Sequence, residues 1–237
     1  MDLNKNPKPE PAWRSEGRYI MGVDLGQASD PTAMCVVYAY AEREHANAPL
    51  QNFFDVVHLQ RLPLGTSYPA IVCEVGVMLT RHPLKDGCEL VIDETGVGRA
   101  VGDIFATRGL KPIRVTITGG NEEAQSGSRR YTVPKSLLIS LVDARLHTGE
   151  LRISKDLKEA SALEEEFKEF RRHVSEAGRY SFSAREGKHD DLVLAVAIAL
   201  WRAARRKPQF GSHSKPEVNI GYAAAKRRYR HSAFDRN

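Results

Sequence analysis

The chemistry open to this sequence rests on Asp24, Asp93 and the adjacent pair Asp190 and Asp191. Asp24 ends the apolar run RYIMGVDLG, Asp93 ends the run CELVIDE, and the pair stands directly before LVLAVAIALW. A carboxylate at the end of an apolar strand is unfavourable to bury unless it is paired or binds a metal. In open α/β sheets the groups that act on ligands gather at the carboxyl ends of parallel strands, so Asp24 and Asp93 become neighbours if their strands lie side by side. The helix after Asp191 is apolar almost all round, so it must pack on the sheet, and its N-terminus can carry the pair to the strand ends. One aspartate there would be an ordinary helix cap, whereas two exceed what capping requires. Each segment alone has a plainer reading: Asp24 and Gly26 shape a turn, and Asp93 or Glu94 caps the next helix.

Taken together the segments bring several like charges into one place. That arrangement raises carboxylate pKa values and destabilises the fold unless a cation neutralises it. Hard oxygen ligands without histidine or cysteine partners select Mg²⁺ or Mn²⁺ over zinc. Two such ions can activate a water and stabilise the leaving oxygen of a phosphodiester, with the aspartates serving as ligands, not as general bases.

The elements that must position these residues follow from the hydrophobic pattern. Residues 1–17, with three prolines and no apolar period, read as a leader or linker. The β-type runs RYIMGVDLG, AMCVVYAY and FFDVVHLQRL suit an antiparallel meander. A helical spacing from Tyr68 to Arg81 leads into CELVIDE, and a helix from about Arg99 to Arg108 leads into PIRVTIT, the alternation of parallel strands with crossover helices. The expected core is therefore an α/β fold with a five-stranded mixed sheet: a three-strand antiparallel meander plus two parallel strands, flanked by helices. Residues 119–132 are polar and Gly/Ser-rich, as in an exposed mobile loop or hairpin. Further on, the pattern predicts a helix from Pro134 to about His147 and another from about Leu157 to Val174. The second has Leu163, Phe167 and Phe170 on one face and Glu and Arg on the other. YSFSA could add a short strand before the final helix. One domain over 18–207 is expected, followed by a basic, mobile tail over 208–237.

Bulk properties narrow the class. Lys and Arg outnumber Asp and Glu by 35 to 30, with the excess near the C-terminus, which suits a polyanion partner as well as a solvated tail. Cys35, Cys73 and Cys88 form no Cys-x-x-Cys spacing, so neither a disulfide framework nor a zinc site is suggested. The N-terminus lacks an apolar signal core, and the longest apolar run, Leu192 to Trp201, is half of a membrane span. An intracellular protein with no membrane partner is expected.

The runs GVDLGQASDPTA, VIDETGVG, VPKSLL with a later HTGEL, and GKHDDLVLAVAIALW, in this order from about Tyr19 to Arg205, resemble the C-terminal nuclease domain of the large terminase subunit of tailed bacteriophages. The resemblance implies a ribonuclease H-like fold, akin to RuvC-type Holliday-junction resolvases. It also implies Mg²⁺- or Mn²⁺-dependent endonucleolytic cutting of concatemeric viral double-stranded DNA during genome packaging, in the cytoplasm of a host cell. Asp24 matches the first-strand aspartate, Asp93 the second acidic position, and Asp190 with Asp191 the pair at the helix start, as catalytic residues and metal ligands. Arg129, Arg130, Lys135 and Lys188 are the expected DNA contacts, and a packaging ATPase, a small terminase and a portal are the implied partners. A complete large terminase also carries an ATPase motor, yet no G-x-x-x-x-G-K-[ST] loop occurs in this sequence, which suits an excised or split nuclease module or a free-standing relative. The alternatives are a RuvC-like resolvase of branched DNA and a non-catalytic DNA-binding packaging module. The run from Asp24 to Ser29 also resembles the first phosphate loop of the actin and sugar-kinase class, whose second nucleotide-gripping half this chain has no room for.

Overall fold

The computed structural model describes residues 13–26, 30–45, 47–96, 99–176 and 190–205. Its centre is a twisted mixed sheet in which β2 (Arg18–Asp24), β3 (Ala33–Arg43) and β4 (Gln51–Arg61) form an antiparallel meander. On the other side of β2, β5 (Cys88–Asp93) and β6 (Ile113–Thr118) run parallel to it. These are the five strands expected from the sequence. Each parallel step is made through a crossover helix, α1 (Tyr68–Leu79) before β5 and α2 (Arg99–Thr107) before β6.

The sheet extends further than the apolar pattern indicated, with β1 (Trp13–Arg14) on β3, the hairpin β7 (Ala124–Gly127) and β8 (Arg130–Pro134) beside β6, and β9 (Leu151–Ile153) beside β4. β1 falls inside the stretch read as a leader, so regular pairing begins before Arg18. The polar 119–132 segment takes the hairpin form, and β8 joins the sheet parallel to β6. Each of these strands is too short to show an alternation of apolar residues, although Val133 of β8 and Leu151 of β9 are buried in the core. The YSFSA segment and the 208–237 tail lie outside the described residues.

Alternation along each strand separates two cores. Ile20, Val37, Val91, Val115 and Val133 face α5 (Asp191–Ala204), α3 (Lys135–His147) and α4 (Ala160–Glu176). Met21, Val23, Met34, Val36 and Ile92 face α1 and α2 on the opposite side. Every residue of α5 from Asp191 to Trp201 is buried. Its Leu, Ile and Val side chains each contribute roughly 1.5–3 kcal/mol by leaving water. Gly22 of β2 permits the close packing, because a Cβ there would stand 2.3 Å from the Ala195 carbonyl oxygen of α5. A helix so apolar cannot sit anywhere but on the sheet, and this one lies across β2 and β3 with its N-terminus at the carboxyl end of β2.

Candidate metal centre

β2 and β5 pair in parallel with Asp24 directly beside Asp93, so the two carboxylates leave neighbouring strand ends. Both lie on the α5 side of the sheet, where Ile20 and Val91 of the same two strands also point. Asp93 is 5% exposed and Asp191 4%, while Asp24 and Asp190 keep partial access to solvent. Burial first, and then the charges of Asp93, Asp191 and Asp190, hold the Asp24 carboxyl well above the ordinary aspartate range, with the Lys135 ammonium pulling it back. Burial likewise pushes Asp93 upward, against hydrogen bonds from Thr95. The strand ends and the helix start thus meet electrostatically.

The plainer readings of these residues can be weighed against what each one touches. The Thr95 amide and hydroxyl donate to Oδ1 of Asp93 at 2.8 and 2.5 Å, so Asp93 does shape the turn that follows it. The same hydroxyl accepts the Ile117 amide at 2.7 Å and ties β5 to β6. Gly26 donates to the Thr32 hydroxyl at 3.1 Å and packs so closely on Asp30 and Pro31 that no side chain would fit, so the turn after Asp24 depends on Gly26. Asp190 occupies the cap position of α5, but its side chain makes no capping hydrogen bond. Its Oδ2 instead receives the Lys135 Nζ at 2.5 Å, from the first residue of α3.

Two residues of the site escaped the sequence reading. Glu166 of α4 is 7% exposed; it accepts the Val193 amide at 3.0 Å in the first turn of α5 and pairs with the Arg61 guanidinium. Arg61, the last residue of β4, also brings its Nε to 3.5 Å from Asp191 Oδ2. The face of α4 that holds Leu163 and Phe167 therefore holds a glutamate as well, correcting the expectation that acidic residues lie only on the outer face. The spacing from Leu163 through Glu166 to Phe167 was the available signal, since a charge within an apolar stripe is rarely buried without a partner.

The expected DNA contacts divide. Lys135 is at the aspartates, as described. Arg130 lines a cleft of about 380 Å³ with Glu94, Thr95, Thr116, Ser126 and Tyr131, beside the end of β5. Arg129 is not brought to the cluster, because its Nε leans on the Pro112 carbonyl at 3.4 Å, at the amino end of β6. Lys188 lies outside the described residues.

Among the described residues, no group of three or more acidic, histidine or cysteine side chains is arranged to hold a metal ion. The ammonium of Lys135 and the guanidinium of Arg61 stand against the pair at the helix start. The donor set nevertheless suits a divalent cation: the oxygens are hard, they are largely buried, and three carboxylates add to burial in raising Asp24, a repulsion that such an ion would relieve.

A meander followed by parallel strands, with aspartates where the first and fourth of the five central strands end, defines a ribonuclease H-like fold. Comparison with solved structures agrees. The large terminase nuclease of thermophilic phage G20c matches at 16% identity and a TM-score of 0.51, over 83% of this chain and 91% of that one. A second structure of that nuclease, with bound zinc, matches at 18% identity and a TM-score of 0.48 over the same shares. No family model and no curated protein matches the chain. At 16% identity the first of these likenesses establishes a shared fold.

Proposed function

We propose that this chain is a Mg²⁺- or Mn²⁺-dependent DNA endonuclease that hydrolyses phosphodiesters at the carboxyl end of β2 and β5. The observation that carries the reading is the pairing of Asp24 beside Asp93, with the α5 pair close enough to raise the Asp24 carboxyl further. Asp24, Asp93, Asp190 and Asp191 would hold the metal, most simply as two ions. When bound, such ions make a water nucleophilic near neutral pH and offset charge on the leaving oxygen of the phosphodiester. The residues of the chain supply the rest. Thr95 fixes the Asp93 carboxylate, Gly22 lets α5 present its pair at the strand ends, and Lys135 places a positive charge where a phosphate oxygen would approach. Arg130, in the adjoining cleft, is suited to a phosphate farther along the strand.

The substrate we infer is double-stranded DNA, and the biological setting is the cutting of concatemeric viral DNA during packaging. The shared fold with a phage large terminase nuclease and the sequence runs cited above support that setting. A packaging ATPase, a small terminase and a portal are the corresponding partners, in the cytoplasm of an infected or lysogenic host. No helix among the described residues is long and apolar enough to cross a membrane.

The test is plasmid cleavage by the purified protein with Mg²⁺, Mn²⁺ or chelator, beside the variant Asp93→Asn. Asparagine keeps an acceptor for Thr95 but loses the charge. We expect cutting that needs the metal and falls by more than about a hundredfold in the variant, since disturbing even the outer partners of a metal site typically removes 10–100-fold. Equal cutting by both proteins would remove Asp93 from the mechanism. Cutting that survives chelation would remove the metal.

A further inference from the structure

β6 and β8 set two arginines side by side, because Arg114 and Arg130 are partners in the parallel register. Partners in a register point to the same face, and here it is the α2 face, since Ile113 and Val115 on either side of Arg114 turn to α5. Like charges so placed repel unless each is neutralised. Arg114 is neutralised: its guanidinium lies 3.5 Å from Glu94 Oε2 and 3.3 Å from Asp103 Oδ1, and it packs against Gly102 of α2. Arg130 is half-buried and pairs with no carboxylate among the described residues. It lines instead the cleft of about 380 Å³, together with the hydroxyl-bearing Thr116 of β6 and Ser126 of β7. That volume falls within the roughly 300–1,000 Å³ of pockets that take small molecules, so a nucleotide-sized group fits. Thr95 lines the cleft too and donates its hydroxyl to Asp93 at 2.5 Å. The cleft and the acidic cluster therefore share a wall, although Arg130 and Asp93 belong to opposite faces of the sheet.

We propose that this cleft holds a backbone phosphate of DNA between the Arg130 guanidinium and the hydroxyls of Thr116 and Ser126, on the face of the sheet opposite the acidic cluster. The inference rests on the DNA-cutting reading above and deepens it: the duplex crosses the carboxyl ends of β5 and β6 and does not lie on the α5 side alone. A phosphate oxygen there neutralises the second arginine of the pair as Glu94 and Asp103 neutralise the first. The two hydroxyls donate to the remaining phosphate oxygens.

Arg130→Gln and Thr116→Val test the pocket, beside Arg108→Gln, which removes an exposed cation just past the end of α2 and outside the cleft. Binding of a fluorescent duplex to the full chain is followed by anisotropy in chelator at several salt concentrations. Arg130→Gln is expected to bind about tenfold more weakly than the wild type, with the slope of log affinity against log salt reduced by about 1. Thr116→Val removes a hydroxyl and no charge, so it should bind about threefold more weakly with the slope unchanged. A loss in Arg130→Gln no larger than in Arg108→Gln, or full affinity in Thr116→Val, overturns the proposal. If Arg130→Gln does not fold, Thr116→Val decides the matter. A melting temperature raised by inorganic phosphate over chloride at equal ionic strength, with duplex affinity the same in every variant, would assign the cleft to free phosphate and overturn the DNA contact. Wild-type protein that binds and cuts DNA beside unaffected variants overturns this inference alone. Wild-type protein that binds no duplex overturns the DNA-cutting reading, and the inference with it.

Discussion

Two regions of the sheet hold charge inside the protein and do so in opposite ways. On the β4 and β9 side, Asp55 is 8% exposed and receives Arg152 Nε at 2.6 Å and the Tyr40 hydroxyl at 3.3 Å. Arg152 also lies 4.4 Å from the centre of the Phe53 ring, and Arg14 lies 3.7 Å from that of Tyr40. Each charge there has an opposite charge or a π-face against it. At the carboxyl end of β2 and β5, by contrast, Asp24, Asp93, Asp190 and Asp191 meet Lys135 and Arg61, and Arg61 is shared with Glu166. Among the described residues the first arrangement is balanced and the second carries surplus negative charge. Balance needs no explanation beyond stability. A surplus kept inside a fold is what the metal-dependent function proposed above requires.

The comparison is broken most forcefully on its balanced side. Asp55→Ala leaves the Arg152 guanidinium half-buried without its carboxylate, and should lower stability by about 2 kcal/mol, a typical value for a hydrogen bond to a charged group. Urea denaturation measures it. Metal-dependent cutting by the folded variant should match the wild type, because Asp55 takes no part in the acidic cluster. If the substitution proved stabilising, Asp55 would belong with the surplus charges and the contrast would fail.

A slightly smaller loss tests how the surplus is assembled. Gly22→Ala places a methyl group against the Ala195 backbone, which must retreat. Forcing extra volume into a packed contact destabilises by roughly 1–3 kcal/mol. Because the displaced helix carries Asp190 and Asp191, Mn²⁺ binding should weaken as well. Asp55→Ala should leave Mn²⁺ binding alone. Thermal denaturation with and without Mn²⁺ separates the two variants, and equal stabilisation by Mn²⁺ in both would detach α5 from the site.

Much of this was legible before any coordinates. Apolar runs ending in Asp24 and Asp93 implied parallel neighbours, because a crossover helix between buried strands allows little else, and the near-uniform apolarity of LVLAVAIALW required a buried helix. The sequence was silent where backbone pairing or single contacts decide. β1 and β9 are too short to show a period, and β8 is recruited by hydrogen bonds to β6 from a stretch rich in polar residues. Arg129 and Arg130 are adjacent in sequence, yet one leans on Pro112 and the other lines the cleft by Glu94, because Arg129 belongs to the turn and Arg130 opens β8. Glu166 read as one more surface glutamate in LEEEFKEF, and only its place between Leu163 and Phe167 marked it as different.

The smallest effect expected has the most telling sign. Burial and three neighbouring aspartates raise the Asp24 carboxyl well above its ordinary value of 3.8, so the metal-free folded protein holds that proton more tightly than the unfolded chain does. By linkage, the stabilisation from the protonated group is fully present below the unfolded pKa and is lost as pH rises through the folded one. Above the unfolded pKa the metal-free fold therefore loses stability on account of Asp24. Asp24→Asn removes that charge at every pH. With chelator present, the variant should melt at a higher temperature than the wild type at pH 7, and the gap should close as the pH falls towards the ordinary aspartate range. Mn²⁺ should then reverse the order, since an ion that binds only the wild-type fold stabilises only that fold. A variant melting below the wild type at pH 7 in chelator would mean that the Asp24 charge is stabilised by its surroundings, as that of Asp55 is, and the surplus would not exist.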